Sequence, residues 1–403
     1  MMPRLGYILT IILLALVTGC TDNSYDGVLP DGSSVYTGED SEQLPVLLAM
    51  GIPDEIMTKG SGAIDYDIEF PWKDKDLYFY AFLRDMNTSF ATLSSEDDRY
   101  CLIDGSVDDE GSLFGKRARK NLYDAYLNWM GPDRTVIYPA LDLVYDFYGY
   151  YIDDARIIGD VERTDYAVRF PVEIDGSQDL MSAKAELTEE QLAGTSFDEE
   201  ERGQILAHAF SQYTAKRDIH PTFLFKHHLT RLRFEIYSGM PKSEDIYVDS
   251  ILVSSKSKCV FTVAHKNAES MGLDFSLFDG YSMLRLTERD GSALLQDTYH
   301  PASGSDYSLP VFDREKVEVG GSILAAPDTE YTINLHFKET TESGRVQEHN
   351  NVITIEHSSG RFLAGNQYVV RVAVYGLMDV DVTVGLEPWE DGGSLVIDEE
   401  DRL

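Results

Sequence analysis

From residue 221 onward, apolar and polar side chains alternate with a period of two. In RLRFEIY the apolar members are Leu232, Phe234 and Ile236, and in YTINLHFK they are Tyr331, Ile333, Leu335 and Phe337. YVVRVAVYG and DVDVTVGLEPW follow the same period, the second with Val380, Val382, Val384 and Leu386 inward. Successive side chains of a strand point to opposite faces, so this period predicts half-buried strands. Gly- and Ser-rich turns separate the runs. The C-terminal half therefore reads as an antiparallel β-sandwich.

The N-terminal half is mixed but strand-dominated. Order begins near Leu44, where PVLLAMGI reads as a short, fully apolar strand. LYFYAFL at 77–83 and YPALDLVYDFYGYY at 138–151 are dense, aromatic and strand-like. Two stretches predict helices instead. In RARKNLYDAYLNWM (117–130), Leu122, Tyr123, Tyr126, Leu127 and Met130 share one helical face, and Gly131-Pro132 supplies the stop. The cluster Lys116-Arg117-Arg119-Lys120 would then be the solvated start of that helix. The second helix is expected at 198–216, with Asp198 to Glu201 at its positive end, Lys216 near its negative end, and Ile205, Ala209 and Phe210 buried. No short-period repeat of the solenoid or propeller kind is present.

The first twenty residues have a different pattern. Arg4 precedes an apolar run from Ile8 to Val17 that only Thr10 interrupts. That run is too short to span ~30 Å of hydrocarbon and ends in Leu16-Val17-Thr18-Gly19-Cys20. A small residue before a cysteine is what a lipoprotein peptidase and diacylglyceryl transfer require. The expectation is a signal peptide over 1–19 and a lipidated Cys20, whose acyl chains anchor the protein to a membrane. Residues 20–43, rich in Asp, Ser, Gly and Thr, read as a flexible tether. No later segment approaches eighteen consecutive apolar residues.

Composition narrows the partners. The 403 residues carry 34 Lys+Arg against 70 Asp+Glu, a net charge of −36. A surface this acidic repels phosphate backbones, which disfavours nucleic acid. At 43 % hydrophobic and 11 % aromatic, the chain has ample material for packed cores. Its length suggests about two to three domains.

Candidate chemistry is sparse. No P-loop, HExxH, GxSxG or properly flanked GxGxxG occurs, so no catalytic residue, cofactor or metal is expected. His227 and His228 are adjacent, and on a strand they would face opposite sides rather than share a metal. Asp104 to Glu110 and Asp153-Asp154 lack calcium-loop ligand order and read as solvated turns. Cys101 and Cys259 lie far apart in sequence without CxxC spacing, and two buried free thiols are favoured over a pair. Trp72, Trp129 and Trp389 suit a sugar platform, but core packing is the stronger reading.

Several phrases, in order, resemble the fimbrillin family, lipoproteins that build type V pili on Gram-negative surfaces. They are Leu16 to Cys20, Met57-Thr58-Lys59-Gly60, LYFYAF (77–82), FYGYY (147–151), FPVEIDGSQDLMSAKA (170–185), LFKHHLTRLRFEI (224–236) and GLEPWEDGGS (385–394). The resemblance implies a mainly β fold of two tandem transthyretin-like sandwiches, here 44–220 and 221–403, with a few helices added to the first. It also implies an outer-membrane or cell-surface lipoprotein assembled by strand exchange. In that scheme a trypsin-like surface protease cuts after a basic residue. The first strand leaves, and another subunit supplies a donor strand by β-addition. Here the departing strand would be Val46, Leu47, Leu48, Ala49, Met50, Gly51 and Ile52, and the cut would follow Lys59 in an accessible loop with Gly60, Ser61 and Gly62.

Two features depart from the family pattern. Lysine stands where many polymerising fimbrillins carry arginine, and the acidic tail offers only Leu395, Val396 and Ile397 as a candidate donor strand. Stalk, tip or accessory, and anchor roles stay open, as does a host or bacterial surface ligand. The alternative from another class is a surface glycan-binding lipoprotein working beside an outer-membrane nutrient importer.

Overall fold

The aromatic run at 77–83 is unbroken because the strand it forms is buried on both faces. Tyr80 and Phe82 point into one core, and Leu77, Phe79 and Ala81 into another. In the computed structural model, the described residues are 44–50, 72, 75–106, 114–120, 126–131, 135–139, 143–193, 197–241, 245–302, 308, 314–341 and 343–387.

The first strands are β1 (Ala49–Met50), β2 (Leu77–Leu83), β3 (Cys101–Ile103), β4 (Lys116–Lys120) and β5 (Leu127–Trp129). Next come β6 (Tyr145–Tyr151), β7 (Arg156–Ile157), β8 (Glu162–Arg163), β9 (Ala167–Glu173) and β10 (Met181–Lys184). Helices α1 (Glu189–Leu192), α2 (Glu199–Ala207) and α3 (Gln212–Ala215) follow. Then come β11 (Thr222–Phe223), β12 (Lys226–His227), β13 (Thr230–Ser238), β14 (Ile246–Ser255), β15 (Lys258–His265) and β16 (Gly272–Asp274). The last are β17 (Ser282–Arg285), β18 (Val317–Ala325), β19 (Glu330–Thr340), β20 (Val346–Glu356), β21 (Gln367–Gly376) and β22 (Asp379–Glu387). The protein is mainly β, as expected.

Two four-stranded sheets, β18-β13-β21-β22 and β17-β14-β19-β20, enclose one core. Leu232, Phe234 and Ile236 face Tyr331, Ile333, Leu335 and Phe337 inside it, as the alternation requires. Val380, Val382 and Val384 pack against its margin, whereas Leu386, expected inward, is 54 % exposed. Pairing is antiparallel except for β13 with β21 and β1 with β11, which are parallel.

The other sandwich sets β12-β10-β6-β2-β4-β5, with β3 beside β2, against β16-β15-β9-β7, with β8 beside β9. The chain beyond residue 220 contributes to it: β12 pairs with β10, and β15 pairs with β9 over almost its whole length. The far face of the β2–β6 sheet carries a third apolar layer, covered by residues 44–50, β11 and the helical segment around Phe210.

Three expectations are corrected here. In place of the helix predicted at 117–130, the described residues form strands: β4 and β5 pair with each other, and β4 pairs with β2. Only Ala118 of β4 is apolar, so hydrophobic spacing carries no strand signal there, and pairing with the aromatic β2 selects the extended form. Lys116 is buried rather than solvated, and Arg117 and Arg119 pair with Asp76. The helix expected at 198–216 breaks between α2 and α3, where Phe210 takes a left-handed backbone (φ 65°) and Ser211 caps α3. Ile205, Ala209 and Phe210 are nevertheless all buried.

Asp104 is likewise no solvated turn residue. It is fully buried and ion-paired to Arg163 at 3.2 Å. Burial pushes its carboxyl up, but hydrogen bonds from Ser94 and Ser106 outweigh that and hold it below the usual range. Cys101 and Cys259 are free, buried thiols, and burial pushes Cys259 up to about 12.

Candidate functional site

Residues 44–50 lie in a groove whose walls come from two distant parts of the chain. On one side the backbone runs antiparallel to 136–138: Val46 N donates to Val136 O at 2.7 Å, and Tyr138 N donates to Leu44 O at 3.0 Å. Leu127 N donates to Leu48 O at 2.8 Å, beside an antiparallel bridge from Ala49 to Tyr126. On the other side Ala49 N donates to Pro221 O at 2.9 Å, and β1 runs parallel to β11. The segment is thus hydrogen-bonded along both edges, as an inserted strand is.

Its side chains divide by parity. Val46 and Leu48 are fully buried and Leu44 and Met50 pack against the same layer at its ends, while Leu47 and Ala49 are half-buried outside it. The floor beneath Val46 and Leu48 contains Phe79, Trp129, Tyr138, Phe147, Phe210 and Phe223. Phe79 meets Trp129 edge-on at 5.9 Å and Phe223 at 4.9 Å between ring centroids. Burying one Val or Leu contributes about 1.5–3 kcal/mol, so these two side chains are a large part of what holds the segment. Gly149 makes this floor possible: a Cβ there would lie 2.7 Å from the Phe79 ring and 3.1 Å from Phe223.

Two polar groups stand out in this layer. Trp129 Nε1 donates to the Val46 carbonyl at 3.0 Å, so the indole serves both as floor and as a clamp on the backbone. The Tyr138 hydroxyl is buried without a hydrogen-bond partner among the described residues, and burial raises its pKa well above the usual phenol range.

Val46, Leu47, Leu48, Ala49 and Met50 therefore come together with the groove. Gly51, Ile52, Lys59, Cys20, Leu395, Val396, Ile397 and Trp389 lie outside the described residues. The clamp by Trp129 and the walls at 126–127, 136–138 and 221–223 were not foreseen. Only the Leu127–Trp129 alternation hinted that these residues form a strand. His227 and His228 do separate: His227 Nδ1 lies 2.6 Å from Asp179 Oδ2, and His228 Nε2 lies 2.7 Å from Ser182 Oγ. Among the described residues no group of three His, Cys, Asp or Glu side chains is arranged to hold a metal ion. No helix among them is long and apolar enough to cross a membrane.

No family model matches the chain, and no curated protein matches it. Solved structures are similar to it. A candidate cell-adhesion protein from Bacteroides uniformis is 12 % identical with a TM-score of 0.45, covering 87 % of this chain and 100 % of that one. A fimbrial protein from Bacteroides vulgatus is 13 % identical with a TM-score of 0.45, covering 86 % and 99 %. The fimbrial anchor protein Mfa2 from Porphyromonas gingivalis is 10 % identical with a TM-score of 0.29, covering 85 % and 98 %. The chain is similar to fimbrial and cell-adhesion proteins over most of its length.

Proposed function

We propose that this chain is a structural subunit of cell-surface fimbriae of the type V kind, anchored by lipid at Cys20 and joined to neighbouring subunits by strand replacement. Residues 44–50 are the strand that leaves. Cleavage after Lys59 by a trypsin-like surface protease frees it, and an extended segment of another subunit takes its place. The role is structural rather than catalytic.

This reading rests on one observation above all: a short segment fills a groove that its removal would leave with apolar pockets and unpaired backbone on both sides. Such a groove does not persist empty in water, so it demands a replacement strand. The ordered fimbrillin-like phrases in the sequence support the same reading independently.

The test is to treat the full chain with a trypsin-like protease and follow it on unboiled gels. The expected result is a ladder of multimers from the cut parent, none from Lys59→Ala, and capture of a labelled peptide spanning 44–52 by the cut form alone. If cut and uncut chains both stay monomeric and neither takes up the peptide, the strand-replacement role is wrong.

A further inference from the structure

Among the described residues, β20 is a long edge strand of its sheet. It pairs with β19 over all 11 of its residues without a register shift, and no strand flanks its other side among the described residues. Soluble proteins blunt such edges with proline, lysine, bulges or short length. VQEHNNVITIE has no proline, lysine or bulge and is 11 residues long; its edge charges are Glu348 and Glu356. The other outer strands of this sandwich differ: β17 has four residues, and the pairings that hold β18 and β22 each contain a register shift.

The charge pattern of β20 specifies a partner. Ile353 and Ile355 turn toward the core, while Val346, Glu348, Asn350, Val352, Thr354 and Glu356 form the solvent-side row. Val346 and Val352 are 48 % and 61 % exposed. An antiparallel strand of the same sequence that engages every residue is centred on Asn351. It sets Val346 opposite Glu356, Glu348 opposite Thr354 and Asn350 opposite Val352. No acid then faces an acid. Sliding the partner so that Val352 faces itself puts Glu348 against Glu356, and like charges directly opposite are destabilising. Sliding it the other way leaves residues 355 and 356 beside the turn at 344–345. The full register pairs all 11 residues without opposing acids, one neighbouring register sets acid against acid, and the other pairs fewer residues.

We infer that β20 is a homotypic interface: two copies of this chain join β20 to β20 about a two-fold axis and merge their four-stranded sheets. The contact is separate from the groove that holds residues 44–50. Because each copy carries a charge of −36, repulsion opposes association, and salt screening favours it.

Sedimentation equilibrium of the full chain in non-ionic detergent, at low and high salt, tests this. Thr354→Glu places a second acid opposite Glu348 twice per dimer and is expected to weaken association about tenfold. Thr354→Lys places a cation there and is expected to strengthen it. Thr298→Glu and Thr298→Lys, on an exposed loop beside β14, change net charge equally and are expected to leave association at the parent value. A parent that is monomeric at every salt concentration overturns the proposal. So does a Thr354→Glu form that associates as the Thr298→Glu form does.

Discussion

Trp129 Nε1 donates to the Val46 carbonyl oxygen at 3.0 Å, joining residues 83 positions apart. A side chain of β5 thereby holds the backbone of the segment that fills the groove, while its ring packs on Phe79 beneath. The same residue supplies apolar floor and directional grip.

Trp129→Phe keeps a ring on Phe79 and loses the donor, leaving the Val46 carbonyl unpaired. The expected cost is about 1–3 kcal/mol, seen as a lower denaturation midpoint with an unchanged slope. Peptide exchange into the cut form should also become faster. An unchanged midpoint and unchanged exchange would remove the clamp from the account.

Leu48→Ala empties a fully buried site and is expected to lower stability by about 2–5 kcal/mol, whereas Leu47→Ala, at a half-buried position, should cost clearly less. In a competing peptide the order should repeat: alanine at 46 or 48 weakens capture, and alanine at 47 changes it little. Equal effects at 47 and 48 would show that the parity of the segment is not what the groove reads.

Asp104 and Arg163 form a buried ion pair, with side-chain exposures of 0 % and 6 %. Asp104→Asn leaves the buried guanidinium bonded to the Phe90 and Thr92 carbonyls but without its counter-charge, and is expected to cost about 3–5 kcal/mol. Glu162→Gln, which breaks the exposed pair to Arg169, should cost no more than about 1 kcal/mol. The folded Asp104 carboxyl sits below its unfolded range, so its contribution is present above that range and lost as pH falls through the folded value. Urea titrations of the parent and Asp104→Asn below about pH 4 should show that loss in the parent alone.

Burial lowers the His228 pKa to about 4, whereas burial raises the Asp153 pKa to about 6 against the hydrogen bond from Tyr151. The signs oppose. Below about pH 6.5 the unfolded chain protonates His228 and the folded one does not, so stability falls on acidification until about pH 4. Asp153 binds its proton more readily when folded, so its contribution is full below the unfolded carboxylate pKa and is lost as pH rises through about 6. Between pH 4 and 6 the parent should therefore be nearly flat. Asp153→Asn should lose stability on acidification across that window, and His228→Gln should gain it. Parallel pH profiles for all three forms would refute the assignment.

Much of the fold was legible from one residue to the next. The period of two at 230–238, 330–340 and 379–387 marked β13, β19 and β22, because a strand with one wet face must alternate. The unbroken aromatic run at 77–83 belonged to a strand with no wet face. The isolated thiols at 101 and 259 read correctly as buried and free. In each case the signal is local: periodicity, or the lack of a partner in sequence.

Other features were settled by contacts between distant residues. Residues 117–130 carry helical spacing, and pairing with β2, some forty residues earlier, makes 116–120 a strand instead. Asp104 looked solvated among acidic neighbours until Arg163, 59 residues later, came to meet it in the core. Residues 44–50 announced themselves as an apolar strand, but their walls at 126–127, 136–138 and 221–223 are brought together only by folding. Sequence periodicity records which faces a segment must bury. What covers those faces depends on pairings between residues some forty or more positions apart, and these leave no local pattern to read.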